Sequence, residues 1–130
     1  MTGNNLLLDT NIVIELFKGN PIVIKKLSDR EKVDIPHVVL AELLLGAYRS
    51  SNPKKHLSQI RSFLSKCNVI RGDIDTADAY AVIKAALLKK GKPIPENDIW
   101  IASIAKQHNL TLITKDKHFK EIQDVQIESW

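Results

Sequence analysis

The chain is poor in cysteine and aromatics and has no long apolar run. Its one cysteine, Cys67, cannot close an internal disulfide. The expected setting is therefore reducing and cytoplasmic, with Cys67 an ordinary half-buried thiol. No segment approaches the ~20 apolar residues that cross a bilayer, so no membrane partner is expected. Residues 1–5 are polar or uncharged, and Leu6-Leu7-Leu8 is too short for the apolar stretch of a secretory leader. Aromatics are only 5%, which argues against a base-stacking platform for single strands. There is no GxGxxG or Walker motif, so nucleotide-cofactor binding is poorly supported. The histidines His37, His56, His108 and His118 are not spaced for a zinc site. Excess charge is modest, 19 Lys+Arg against 15 Asp+Glu, for a net +4. That permits a polyanionic partner without establishing one.

What is present suits one soluble domain over 1–130: 44% hydrophobic and 26% charged residues, and enough chain to bury a core. Leu6-Leu7-Leu8 lacks polar alternation and reads as a strand buried on both faces. An amphipathic helix follows over 11–18, ended by Gly19-Asn20, and another starts at Pro21. A short strand at 33–35 leads into an apolar helix over 37–48. Next come a helix from Pro53, a strand over 67–70, and a long helix capped by Asp75 or Thr76 and ended by Gly91. Pro93 and Pro95 fix a loop before a helix that starts at Asn97 or Asp98. Strands over 110–114 and 125–128 finish the chain. This alternation predicts an α/β three-layer sandwich with a mainly parallel central sheet. Tyr48, Tyr80, Trp100 and Trp130 read as packing residues.

Four acids stand at telling places. Asp9 follows the first strand, where open α/β sheets bind ligands, although it could equally cap the next helix. Glu42 lies in the apolar helix, with Val38, Val39 and Leu45 a turn away on its own face. So placed, it needs a partner, a proton or a cation, unless the helix leaves it at a rim. Asp98 shares a helix face with Ile101, Ala102 and Ala105 and should point inward. Asp116 follows the 110–114 strand and repeats the opening pattern. If these acids converge, each pair 4 Å apart repels by ~4 kcal/mol at an effective dielectric of 20. Protons or hard cations such as Mg²⁺ or Mn²⁺ would have to occupy the cluster.

Leu6-Leu-Leu-Asp9-Thr10-Asn11, Ile35-Pro36 with Ala41-Glu42-Leu43 and Gly46, Pro95-Glu-Asn-Asp98-Ile-Trp-Ile-Ala102, and Leu112-Ile-Thr114-Lys-Asp116 with Phe119 together resemble the PIN domain, above all the VapC-type toxin ribonucleases. The resemblance spans nearly the whole chain and keeps all four acids in order. It implies a metal-dependent endoribonuclease, in which Asp9 and Asp98 bind Mg²⁺ or Mn²⁺, as one or two ions. Glu42 and Asp116 would act directly or through water, with Glu42 also able to help deprotonate the attacking water. Asn11 and Thr114 would orient the carboxylates. Lys92, Lys115 and Lys117 are candidate phosphate contacts. It further implies an RNA substrate, a cognate antitoxin seated in a groove formed by Ile12, Leu16, Phe17, Leu57, Ile60 and Leu64, and a homodimer. Glu96 is an extra candidate ligand, set against a solvated loop acid. One departure is Val39, where the family often has a hydroxyl residue three positions before its glutamate. A stand-alone PIN nuclease and a catalytically idle RNA- or protein-binding module remain as alternatives. A phosphatase with an aspartyl nucleophile is disfavoured, because Asn11 stands where a second acid is usual.

Overall fold

The computed structural model describes residues 5–130; residues 1–4, part of the polar N-terminal stretch, lie outside it. Strand β1 (Leu6–Leu8) is central in a five-stranded sheet of order β3-β2-β1-β4-β5, with β2 Val33–Pro36, β3 Cys67–Ile70, β4 Thr111–Ile113 and β5 Ile127–Glu128. All pairings are parallel, so the sheet is wholly rather than mainly parallel. Successive residues of a strand point to opposite faces. Leu6, Leu7 and Leu8 are 9%, 0% and 0% exposed, so both faces of β1 are covered. The helices α1 (Thr10–Phe17), α2 (Pro21–Leu27), α3 (His37–Arg49), α4 (Pro53–Leu64), α5 (Ile74–Lys90) and α6 (Glu96–Gln107) supply the outer layers.

Register sets the geometry that matters. Leu8 pairs with Ile113, so β1 and β4 end level, and Asp9 and Thr114 emerge side by side. The Asp9 amide closes the ladder on the Ile113 carbonyl at 3.0 Å. On the other side β1 pairs with β2 through Leu7 and Asp34, and α3 starts directly after Pro36.

Several boundaries differ from expectation for local reasons. Helix α5 is capped by Asp73, two residues earlier than the nearer of the expected caps. Asp73 accepts from the Thr76 amide at 3.2 Å, while its own amide donates to Thr76 Oγ1 at 2.9 Å. Thr76 is thus the reciprocal half of a capping box. The helix ends at Gly91, whose φ of +67° is left-handed backbone that glycine takes without strain. Helix α6 starts at Glu96, directly after Pro95, so Asn97 and Asp98 lie in its first turn and cap nothing. A 3₁₀ turn, Lys117–Glu121, was not foreseen; its Phe119 is fully buried.

Two packing expectations fail. Tyr48 is 64% exposed, being on the outer face of α3. Ile12 is 0% exposed: it belongs to the core and cannot line a surface groove. Trp100 does pack, stacked on Tyr80 at 4.1 Å between ring centres. Cys67 is half-buried, and burial pushes its thiol up to about 12, so it carries no thiolate at neutral pH.

Removing the capping box should cost little but measurable stability. Asp73→Ala is expected to lower the unfolding free energy by about 1 kcal/mol in a urea titration. No change would mean that this helix start does not depend on the side chain.

Candidate active site

Four elements deliver the acids. Asp9, only 4% exposed, caps α1 and also faces the acid cluster. Its Oδ1 accepts from the Thr10 amide at 2.8 Å. Its Oδ2 accepts from Thr114 Oγ1 at 2.7 Å and from Asn11 Nδ2 at 3.2 Å. Capping and site placement are therefore one geometry. Thr114 Oγ1 in turn accepts from the Asp116 amide at 2.9 Å, and Asn11 Oδ1 accepts from the Lys115 amide at 3.1 Å. Asn11 and Thr114 thus tie the end of β1 to the end of β4 and fix the Asp9 carboxylate.

Asp98, 9% exposed, projects inward from the first turn of α6, as its spacing with Ile101, Ala102 and Ala105 predicts. Glu42 takes the rim alternative. It is half-buried at a rim, because Leu45, a turn away, is 58% exposed. Its Oε1 accepts from Thr10 Oγ1 at 2.5 Å and its Oε2 from Asn97 Nδ2 at 3.2 Å. Asp116, half-buried, caps the 3₁₀ turn through the His118 amide at 2.9 Å.

The charges feel one another. Burial raises Asp9 above the usual carboxylate range; the Thr114 and Thr10 hydrogen bonds oppose this, and the charges of Glu42 and Asp116 add to it. Burial likewise pushes Asp98 up to about 6, partly offset by the His118 hydrogen bond and reinforced by Asp116 and Asp9. Among the described residues, none of the four acids has a lysine or arginine within 4.0 Å. The one cationic-capable partner is His118, with Nδ1 3.3 Å from Asp98 Oδ2 and 3.0 Å from Asp116 Oδ1. Ligand atoms of Asp98, Asp116 and His118 all lie within 4.8 Å of one another, close enough to hold a metal ion.

Three residues of this arrangement escaped the sequence reading: Thr10, Asn97 and His118. Thr10 and Asn97 are direct neighbours of Asp9 and Asp98, but only the fold shows that both reach Glu42. His118 carried no zinc spacing, yet the 3₁₀ turn folds it back onto Asp98.

Glu96 bonds to Tyr80 and pairs with Lys84 at 2.5 Å, as a surface acid does. Lys115 Nζ lies 3.6 Å from Glu15, so it braces the loop against α1, while Lys92 and Lys117 are exposed. A cavity of about 430 Å³ opens between α1, α3 and α4, lined by Phe17, Leu43, Ala47 and Ile60 among others, with Glu42 and the bases Lys18 and Lys55 in its wall. Leu16 lines an adjoining hollow with Phe17, and Leu57 and Leu64 are half-buried against the core.

An all-parallel α/β sheet thus carries acids just beyond the level ends of β1 and β4. The PIN domain matches residues 6–125, and the chain belongs to that family. Within it, the chain groups with the VapC proteins. It is 34% identical over 127 residues to ribonuclease VapC2 of Haemophilus influenzae, covering 95% of this chain and 96% of that one. It is 31% identical over 127 residues to the tRNA(fMet)-specific endonuclease VapC of Shigella flexneri, at the same coverage. Its fold superposes on VapBC2 of Rickettsia felis, solved bound to a promoter DNA fragment. There the TM-score is 0.89 at 31% identity, over 96% of this chain and 98% of that chain.

The raised carboxyls set a pH dependence. A carboxyl raised in the fold leaves stability highest below the unfolded value near 3.8, and the advantage is lost as pH rises through about 6. Without metal, Asp98→Asn is therefore expected to be more stable than the parent at pH 7, on the order of 1–2 kcal/mol. The difference should fade towards pH 4. Thermal melts in chelator at both pH values check this; a destabilised variant at pH 7 would contradict it.

Proposed function

We propose that the chain is a Mg²⁺- or Mn²⁺-dependent endoribonuclease, a single PIN nuclease unit over 1–130, and the toxin of a type II toxin–antitoxin pair. The observation that carries this reading is that the buried Asp9 and Asp98 feel the charge of Asp116, Asp98 that of Asp9 and Asp9 that of Glu42, with no lysine or arginine within 4.0 Å among the described residues. The ribonuclease relatives support the activity, and the VapBC complexes among its structural neighbours support an antitoxin partner.

The donor set fits a hard divalent ion: carboxylate oxygens, held in fixed orientation, in a pocket short of positive charge. Asp9 and Asp98 are assigned as its ligands, with Asp116 completing the set directly or through water. A bound ion of this kind acidifies a water and offsets charge on the phosphate and on the departing oxygen. Asn11 and Thr114 both donate to Asp9 Oδ2 and hold the carboxylate in one orientation. Glu42, held by Thr10 and Asn97, serves as a ligand directly or through water, or takes the proton of the attacking water. The products expected are a 5′-phosphate and a 3′-hydroxyl. Exposed Lys92, Lys115 and Lys117 are assigned to phosphates of the RNA, although Lys115 also pairs with Glu15.

The cavity beside Glu42 is assigned to the antitoxin, through Phe17 and Ile60, with Leu16 in the adjoining hollow and Ile12 excluded by burial; Leu57 is half-buried against the core. A homodimer and a cytoplasmic location complete the reading. Among the described residues no helix is long and apolar enough to cross a membrane.

Asp98→Asn should reduce RNA cleavage at least about a hundredfold while the protein stays folded. Mg²⁺ or Mn²⁺ should raise the melting temperature of the parent but not of an Asp9→Asn, Asp98→Asn double variant. Equal shifts would remove the metal site. Expression of the chain alone in bacteria should arrest growth, and Asp98→Asn should relieve the arrest. Cleavage without arrest would leave a stand-alone nuclease; neither would leave an idle module.

A further inference from the structure

We infer that His118 binds the divalent ion directly through Nδ1, beside Asp98 Oδ2 and Asp116 Oδ1, and so tilts the site towards Mn²⁺ over Mg²⁺. The inference rests on the metal-dependent reading above and adds a nitrogen ligand to an otherwise all-oxygen set.

The spacing is that of ligands around one ion. Bonds of ~2.1 Å to an octahedral cation put neighbouring donor atoms about 3.0 Å apart. Nδ1 stands 3.0 Å from Asp116 Oδ1 and 3.3 Å from Asp98 Oδ2. A single ring nitrogen facing two carboxylate oxygens from different elements can donate at most one good hydrogen bond. A cation satisfies all three atoms together.

Asp116 does not need the imidazole as a donor. Its Oδ1 already accepts from the His118 backbone amide at 2.9 Å, in the cap of the 3₁₀ turn. The backbone that carries the ring is anchored. The next residue, Phe119, is 0% exposed and anchors the turn in the core. The His118 side chain itself is 52% exposed, so in the neutral form its Nε2 proton can be met by water while Nδ1 keeps its lone pair for the ion.

Ion preference follows from ligand type. Mg²⁺ is a hard ion that gives up water reluctantly and gains little from imidazole. First-row transition ions accept imidazole nitrogen readily. Replacing one oxygen of the shell by Nδ1 therefore raises Mn²⁺ affinity relative to Mg²⁺. His118→Asn places an amide oxygen near the position of Nδ1 and removes the nitrogen ligand while keeping a polar side chain of similar reach.

The test uses the full chain without a histidine tag, loaded with Mn²⁺, and pulsed electron paramagnetic resonance. A ¹⁴N modulation from a directly bound imidazole is expected in the parent and should be lost in His118→Asn. By calorimetry, the ratio of Mn²⁺ to Mg²⁺ affinity should fall about tenfold in that variant. Mn²⁺ bound with no ¹⁴N modulation, or a modulation that survives in His118→Asn, overturns the inference and leaves the acid site standing. Failure of the parent to bind either ion overturns both the inference and the metal-dependent reading beneath it.

Discussion

Like-charge crowding is the constraint on which this molecule turns. Asp9 and Asp98 are nearly enclosed by protein, each lies in the field of Asp116, and among the described residues no lysine or arginine pairs with them. A fold that served only its own stability would not keep this arrangement, because each carboxyl is held above its ordinary range by burial and by its neighbours. The cost is local, and the rest of the structure absorbs it. An all-parallel sheet with the fully buried Leu7, Leu8, Leu112 and Ile113 at its centre supplies the rigidity.

The means of placement are ordinary secondary structure. Level strand ends put Asp9 next to Thr114. One threonine hydroxyl then donates to Asp9 and accepts from the Asp116 amide, so a single side chain sets two acids. A helix start after Pro95 turns Asp98 inward, and the same turn sends Asn97 to Glu42. The polar groups that steer the carboxylates thus come from the very segments that carry them, which keeps the site precise without a separate scaffold.

Much of this was legible in the sequence, and the boundary of legibility is physical. Leu6-Leu7-Leu8 announced a strand buried on both faces because no residue of the run is polar. Asp98 could be placed inward because helical period ties it to Ile101, Ala102 and Ala105. Periodicity says nothing, however, about which way a partly apolar helix turns its rim. Glu42 therefore looked more enclosed than it is, and Tyr48 looked like a packing residue. The capping box of α5 escaped because Asp73, Asp75 and Thr76 are all good caps, and only the reciprocal bond selects Asp73. His118 escaped for a different reason. Its approach to Asp98 is made by a single 3₁₀ turn, and such a turn leaves no repeat in the sequence. Ile12 was misjudged because an amphipathic helix has a core stripe and a margin, and spacing alone does not separate them.

The central claim is that a cation, and not the protein, balances the buried acids. Carbon-13 NMR titration of the aspartate side-chain carboxyls tests it most directly, read at Asp98 with and without Mg²⁺. The account predicts a midpoint near 6 in the metal-free protein and a fall below the ordinary 3.8 once Mg²⁺ is present. A midpoint near 3.8 that Mg²⁺ leaves unmoved would contradict it.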